Sequence, residues 1–345
     1  MNKSLTELTD AGGCGCKIDL KTLKNIIPNQ RFISKNLLVG NENNEDAAVY
    51  SLNNETGIVC TLDFFSPIVD DPFIFGQIAA ANSLSDIYAM GGTPIVALSI
   101  LGYPVDIIDI ATVNQIIEGA LNICDKAFVS LCGGHTINNP QPIYGLAVTG
   151  HIQLNKIKRN NNAKIGDLIY LTKPVGNGII STAHKLRKVL TEDLNNSIHW
   201  MITLNSIGKL FGMLDYVNSL TDLTGFGFIG HLSEICNGSK VRAEIIFENI
   251  NILDGVYKYI EKGIVTSGGK RNMENYKQLV NESNKYSDII LNDPQTNGGL
   301  LVTIDPNFKN QFEELLIKNN LIKFSNPIGT ILARQAEKKL IEIIQ

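Results

Sequence analysis

The sequence predicts a mixed α/β protein of two domains, α+β in class, and three observations carry that expectation. At 345 residues the chain exceeds what one hydrophobic core usually serves. Strand-like apolar runs alternate with helical patterns in both halves. Between the halves stands a polar stretch, NKIKRNNNAK at 155–164, with the character of a linker. The expected divisions are a flexible Gly-rich arm over residues 1–22, an N-terminal domain over 23–153 and a C-terminal domain over 154–345.

The first residues are rich in glycine and lack periodicity, which predicts a pliable arm rather than a packed element. GIVCTLDFF at 57–65 is an apolar strand run ending in an acid. Residues 73–90 carry apolar positions at helical spacing, and Gly91-Gly92 supplies the stop. A buried strand over 94–103 and an amphipathic helix over 109–126, with an acid at its start as N-cap, come next. Strands over 128–132 and 143–152 flank GGHTINNPQP, a turn-rich loop. In the second half the pattern predicts strands over 168–171 and near 244–249, 299–304 and 328–333, with helices near 178–190, 198–214 and 227–237.

Composition narrows the function classes. A hydrophobic fraction of 44% with 19% charge describes a globular chain rather than a disordered one. A formal charge of −4 gives no basic field for nucleic acid, so an anionic ligand must be held by a local site. The longest apolar run, around 94–105, is too short to span a membrane, and MNKSLTELTDAGG has no apolar targeting core. Six cysteines stand at 14, 16, 60, 124, 132 and 236 without disulfide or paired-CxxC zinc spacing, and Cys60, Cys124 and Cys132 sit in apolar runs like small core residues. The expectation is a reduced, cytoplasmic protein.

Four acids stand beside turns and next to apolar segments: Asp46 in GNENNEDAAVY, Asp63 in VCTLDFF, Asp86 in NSLSDIYAMGG and Asp222 in SLTDLTGFGFIGH. Any one of them is most simply a cap or a solvated turn. As a set of hard oxygen ligands they suit magnesium and phosphate oxygens. Glycine loops recur at 12–17, 132–135, 224–231, 266–272 and 296–300, where backbone amides could approach phosphates. None has the P-loop pattern. TGFGFIG has dinucleotide-like spacing, but no convincing strand precedes it and no acid follows at the required distance, so a Rossmann site is rejected. Cys14-Gly15-Cys16-Lys17 is the most unusual feature. An adjacent cation favours a thiolate, and a Gly-rich arm can close over a nucleotide. A soft-metal site and an incidental pair are equally compatible with the residues alone. His135 in CGGHT could touch phosphate or act as a base, although a lone His after a strand is commonly structural. His231 lies in phase with Phe228 and Ile235 and reads as structural. Trp200 and Phe64-Phe65 read as core or interface.

Taken in order, GGCGCK, LLVGNENNEDAAVY, TLDFFSPIVDDPFIFGQIAAANSLSDIYAMGGTP, GGHT, GLAVTG, LTKPVGNG, LTDLTGFGFIGHLSE and NDPQTNGG resemble the selenophosphate synthetase (selenide, water dikinase) family over nearly the whole chain. The resemblance implies the aminoimidazole ribonucleotide synthetase-like fold, in which the N-terminal sheets of two subunits pair into a barrel with ATP near their boundary. It implies a reaction in which ATP, hydrogen selenide and water give selenophosphate, AMP and phosphate, supplying activated selenium for selenocysteine and selenouridine and handed to selenium-using enzymes. By motif, Cys14 matches the catalytic cysteine and Lys17 the essential lysine. Asp46, Asp63, Asp86 and Asp222 match carboxylates that bind magnesium, more than one ion per site, and thereby ATP; potassium is a candidate further cation. Asn43, Asn44 and Glu45 match a nucleotide-contacting turn, and Gly134, His135 and Thr136 a segment that reaches ATP from the other subunit of a homodimer. Three departures stand out: Asp10-Ala11-Gly12 where many members carry a His, Glu45 for Asp, and Asn297 for Ser. The nearest rivals are another small-molecule kinase of that superfamily, which has no evident use for the paired-thiol arm, and an ATP-gated selenium carrier.

Overall fold

The computed structural model describes residues 4–9, 12–17, 22, 26, 33–41, 44–281 and 283–344, with the Cys16 side chain left aside. Two six-stranded mixed sheets form the frame. The first contains β1 (Leu37–Val39), β2 (Ala48–Ser51), β3 (Thr56–Phe65), β4 (Thr93–Tyr103), β5 (Ser130–Asn138) and β6 (Ile143–Gln153), in the order β1-β2-β3-β6-β4-β5. All neighbours are antiparallel except β4 and β5. The long register from Thr56↔Gln153 to Phe65↔Tyr144 makes β3 and β6 the centre of the sheet.

Two helices cover one face of this sheet, α1 (Pro72–Ala89) and α2 (Ile110–Ala127). Each starts on an aspartate cap: Asp71 accepts from the Ile74 amide at 2.9 Å and Asp109 from Thr112 at 2.7 Å. They approach closely because Gly119 has no side chain; a Cβ there would lie 1.9 Å from the Phe73 carbonyl oxygen. Phe65, Tyr144, Leu146 and Val148 of the sheet meet Phe75, Ile78, Leu84 and Ile87 of α1 in the core.

The second sheet contains β7 (Leu168–Leu171), β8 (Val217–Asp222), β9 (Val241–Ile246), β10 (Leu300–Ile304), β11 (Gly329–Ala333) and β12 (Ile341–Ile344), in the order β12-β9-β11-β7-β10-β8. Around it pack α3 (Asn177–Lys185), α4 (Thr191–Ile202), α5 (Gly208–Met213), α6 (Gly227–Gly238), α7 (Val256–Glu261), α8 (Ser267–Tyr276), α9 (Lys285–Leu291) and α10 (Lys309–Lys318). α1 touches the first sheet on one side and β8, α4 and α5 on the other. That double contact is why its polar residues Asn82, Ser83 and Ser85 are fully buried.

Several expectations change. GGHTIN is strand, not loop: β5 continues to Asn138 in register with β4. The helix expected over 198–214 is two, broken between Ile202 and Gly208. Within the polar stretch 155–164 the Lys158 ammonium donates to the Leu214 and Val217 carbonyls at 2.7 and 2.9 Å. Cys60 and Cys132 are exposed, because both alternate to the outer face or edge of the first sheet; Cys124 is buried as expected. A strand does precede TGFGFIG. β8 reads VNSLTD, too polar to show as apolar alternation, yet every residue in it is buried. It pairs antiparallel with β10, which still leaves no Rossmann unit. Among the described residues no helix is long and apolar enough to cross a membrane.

Candidate functional site

The site forms where α1 lies between the two halves. Asp46 stands in the turn before β2, Asp86 in the last turn of α1, and Asp222 at the end of β8. One carboxylate oxygen from each lies within 4.8 Å of the others. Thr221 donates to Asp46 Oδ1 at 2.8 Å and Thr61 to Asp86 Oδ2 at 2.5 Å, which orients two of the three. The other oxygens, Asp46 Oδ2 and Asp222 Oδ2, are buried without a hydrogen-bond partner.

Three close carboxylates in a desolvated place cannot all stay ionised cheaply. Burial, then repulsion from Asp222 and Asp86, holds the Asp46 carboxyl well above its usual range. Asp86 shifts the same way through burial and repulsion from Asp222 and Asp63. Burial pushes Asp222 up to about 6, with Asp63 adding to it against Ser85, Lys17 and Lys173. A hard divalent cation removes both costs, and an all-oxygen set with unpartnered oxygens fits magnesium. The residues present therefore fit the metal.

The fourth predicted acid does not join this trio in the structure. Asp63, two residues after Thr61 on β3, pairs with Lys17, whose ammonium lies 3.2 and 3.3 Å from its two oxygens. Burial alone would lower the Lys17 ammonium's pKa. Asp63, Cys14, Asp86 and Asp222 together overcome it and hold the group well above its ordinary value.

Where the sequence predicts a pliable arm, residues 12–17 are seated. Gly13–Cys16 form a 3₁₀ turn beside the loop at 293–298. Gly13 adopts φ +60°, and a Cβ on it would come within 2.5 Å of Thr296 Oγ1. Gly225 of TGFGFIG makes room for the arm, since a Cβ there would lie 2.5 Å from the Cys14 carbonyl oxygen. Cys14 is 1% exposed. Its amide donates to Thr296 Oγ1 at 3.1 Å and its thiol to Asn82 Oδ1 at 3.3 Å.

Asn44, at φ +54°, and Glu45 form a turn tied to the second half: Asn160 donates its side-chain amide to the Asn44 carbonyl at 3.1 Å and its backbone amide to Glu45 Oε2 at 3.0 Å. Asn43 lies outside the described residues. Gly134, His135 and Thr136 are exposed on β5, three strands from β3, which is about 14 Å at ordinary strand spacing. The fold does not bring them to the acids of their own chain. His231 is structural: it is buried, accepts from the Thr224 amide at 3.1 Å, and burial pushes its pKa down to about 3 with help from Lys17.

Sequence reasoning missed Asn82 and Thr296 as partners of Cys14, and Asn297 as a partner of Asn82. Asn82 was open to detection, since it stands four residues before Asp86 on a predicted helix and so shares its face. It also missed Lys173. Its ammonium donates to the Thr203 and Asn297 carbonyls at 2.7 and 2.9 Å, and burial, partly offset by Asp222, pushes its pKa down to about 7.

Known proteins match this frame closely. The family described as AIR synthase related protein matches by its N-terminal domain over residues 44–152 and by its C-terminal domain over 164–341. A selenide, water dikinase of Pasteurella multocida is 43% identical over 339 residues, covering 98% of this chain and 96% of that one. Another, of Shewanella baltica, is 48% identical over 302 residues, with 87% and 86% covered. The chain belongs to the selenide, water dikinase family. Among solved structures it shares a fold with thiamine-monophosphate kinase of Stenotrophomonas maltophilia (TM-score 0.65, 16% identity, 90% and 91% covered). It shares it also with a HypE–HypF complex (TM-score 0.67, 16% identity, 94% and 95% covered). The aminoimidazole ribonucleotide synthetase-like fold expected of a selenide, water dikinase is thus the one observed.

Proposed function

We propose that this chain makes selenophosphate from ATP, hydrogen selenide and water, releasing AMP and phosphate, with Cys14 and Lys17 working over a carboxylate-held metal–triphosphate site. As a selenide, water dikinase it is an ATP-dependent, kinase-type enzyme. One observation carries the assignment of roles: three carboxylates converge within 4.8 Å beside an arm that presents a thiol and an ammonium.

Asp46, Asp86 and Asp222 would hold a divalent cation such as magnesium, which would supply positive charge against the charge that develops on the phosphate oxygens. Asp63 is free to join that set once Lys17 turns from it to the phosphates, which gives room for more than one ion. Lys17 then supplies a charge-assisted contact to the triphosphate. The Asn44–Glu45 turn, fixed by Asn160, frames the nucleotide together with Asn43. Cys14 handles the selenium for attack on phosphorus. AMP as product requires that a second phosphate be released by hydrolysis in the same closed site.

The outer face of the first sheet supports a homodimer. Leu62, Phe64, Ile95 and Leu98 are each more than 40% exposed there, a contiguous apolar surface that a second copy would cover. Pairing through that face gives Gly134, His135 and Thr136 a partner's nucleotide to reach. The product then passes to selenium-using enzymes in the cytoplasm.

Two substitutions separate the roles. Asp86→Ala should abolish magnesium-dependent ATP binding in a calorimetric titration. Cys14→Ser should keep that binding and lose selenophosphate. Full synthesis by Cys14→Ser would remove Cys14 from the chemistry.

A further inference from the structure

Asn82 has no exposed surface, and three groups fix how its carboxamide points. The Asn297 backbone amide, which can only donate, reaches Asn82 Oδ1 at 2.7 Å. On the opposite edge Asn82 Nδ2 donates to Asp63 Oδ2 at 2.6 Å. The oxygen edge is therefore the one that meets Cys14, and its remaining lone pair accepts the thiol proton at 3.3 Å. Asn297 is held in turn at φ +48°, its side chain donating to the Met201 and Thr203 carbonyls at 2.6 and 2.9 Å.

An amide oxygen can accept from a thiol but offers nothing to a thiolate, which is the nucleophilic form. The seat thus favours a neutral, sealed sulfur. Lys17, a cation that could stabilise the anion, sits three residues along the same arm and is bound to Asp63. Asp63 is the carboxylate that Asn82 also holds. Lys17, Asp63, Asn82 and Cys14 form one continuous polar chain with both working groups of the arm docked at its ends. Asp86 and Asp222 face the same arm, and the Arg271 guanidinium donates to its Gly15 carbonyl at 3.0 Å.

We propose that Asn82 is the positioning residue of Cys14: its locked carboxamide seats the sulfur as a buried thiol, and movement of Lys17 from Asp63 to nucleotide phosphates frees it. This rests on Cys14 being the working sulfur of the arm. The device keeps an oxidisable, nucleophilic group covered until the phosphate donor is in place.

The test is site-resolved mass spectrometry of iodoacetamide labelling in the full-length protein. Without nucleotide, Cys14 should label slowly, alongside the buried Cys124 and Cys236. Asn82→Ala should raise the Cys14 rate about tenfold or more, as loss of one hydrogen bond of ordinary strength allows. Cys124 and Cys236 should stay protected, since a merely loosened fold would expose all three together. Thr296→Val, which removes only the acceptor of the Cys14 amide, should have the smaller effect. Magnesium and ATP should speed Cys14 labelling in the unsubstituted protein. Fast Cys14 labelling without nucleotide, protection unchanged in Asn82→Ala, or equal exposure of all three buried cysteines in Asn82→Ala would overturn the proposal. So would an unchanged Cys14 rate when calorimetry shows ATP bound. If no ATP binds, the nucleotide assignment fails, while the comparison without nucleotide still decides the seat.

Discussion

Asp222 shows what a single residue reveals about this site. Its carboxyl is pushed to about 6 from an ordinary value of 3.8, chiefly by burial, and Asp46 and Asp86 are raised with it. A carboxyl that holds its proton more tightly in the folded than in the unfolded chain makes the folded state the better proton binder between those values. Stability must then fall as pH rises from about 4 to about 6. Denaturation midpoints measured in EDTA should decline over that window, and magnesium should flatten the decline by replacing the protons. A midpoint that rises over the same window in EDTA would contradict the assignment of these acids as one cluster. Lys173 makes a second case. Lys173→Met should cost about 1–3 kcal/mol in urea denaturation, because it leaves the Asn297 carbonyl without its buried donor and the Thr203 carbonyl with only the Asn297 side-chain amide. The acids were legible in the sequence as a set, because each sits beside a turn signal. Their division into a trio and a Lys17-paired Asp63 was not, since it depends on Asp63 and Thr61 sharing a strand face that only packing orients toward α1.

At the scale of elements, the apolar runs of β3, β4 and β6 and the periodicity of α2 were readable because one face of each is buried in the ordinary way, while α1, covered on both sides, was readable from its long apolar stretch and the Gly91-Gly92 stop. β8 was not readable. VNSLTD is buried on both faces, and its polar side chains are satisfied by neighbours far along the chain: Asn218 by Asp167, Thr221 by Asp46. Only the start of β5 reads as strand in the sequence; its continuation GGHTIN reads as loop because its glycines signal a turn, while Gly133 and Gly134 carry positive φ within a strand. Residues 12–17 are seated where the sequence predicts a pliable arm for a related reason: glycine permits tight seating as readily as mobility. The α1–α2 crossing gives a test at this scale. Gly119→Ala forces a methyl into the Phe73 carbonyl, so it should destabilise the protein by about 3 kcal/mol and lower Tm by several degrees. An unchanged Tm would mean the helices can separate at little cost.

For the whole molecule, the two halves meet along α1, and the trio of acids draws on both: Asp46 and Asp86 from the first, Asp222 from the second. The site therefore exists only when the halves are docked. The Asn160 amide on Glu45, the Lys158 amide on the Met90 carbonyl and the cluster joining Ala89 to Phe211, Leu300 and Phe312 hold them so. The exposed apolar face of the first sheet extends the argument to a second copy. Leu62→Asp should convert a dimer of 37.8 kDa chains to monomers in sedimentation, and should cost activity if Gly134, His135 and Thr136 serve the partner's nucleotide. A monomeric unsubstituted protein with full activity would exclude that arrangement. The central claim concerns chemistry, and phosphorus NMR of an anaerobic mixture of protein, magnesium, ATP and selenide reads it directly. Selenophosphate, AMP and phosphate accumulating together is the expected result; ADP accumulating alone, with no selenophosphate signal, would contradict it.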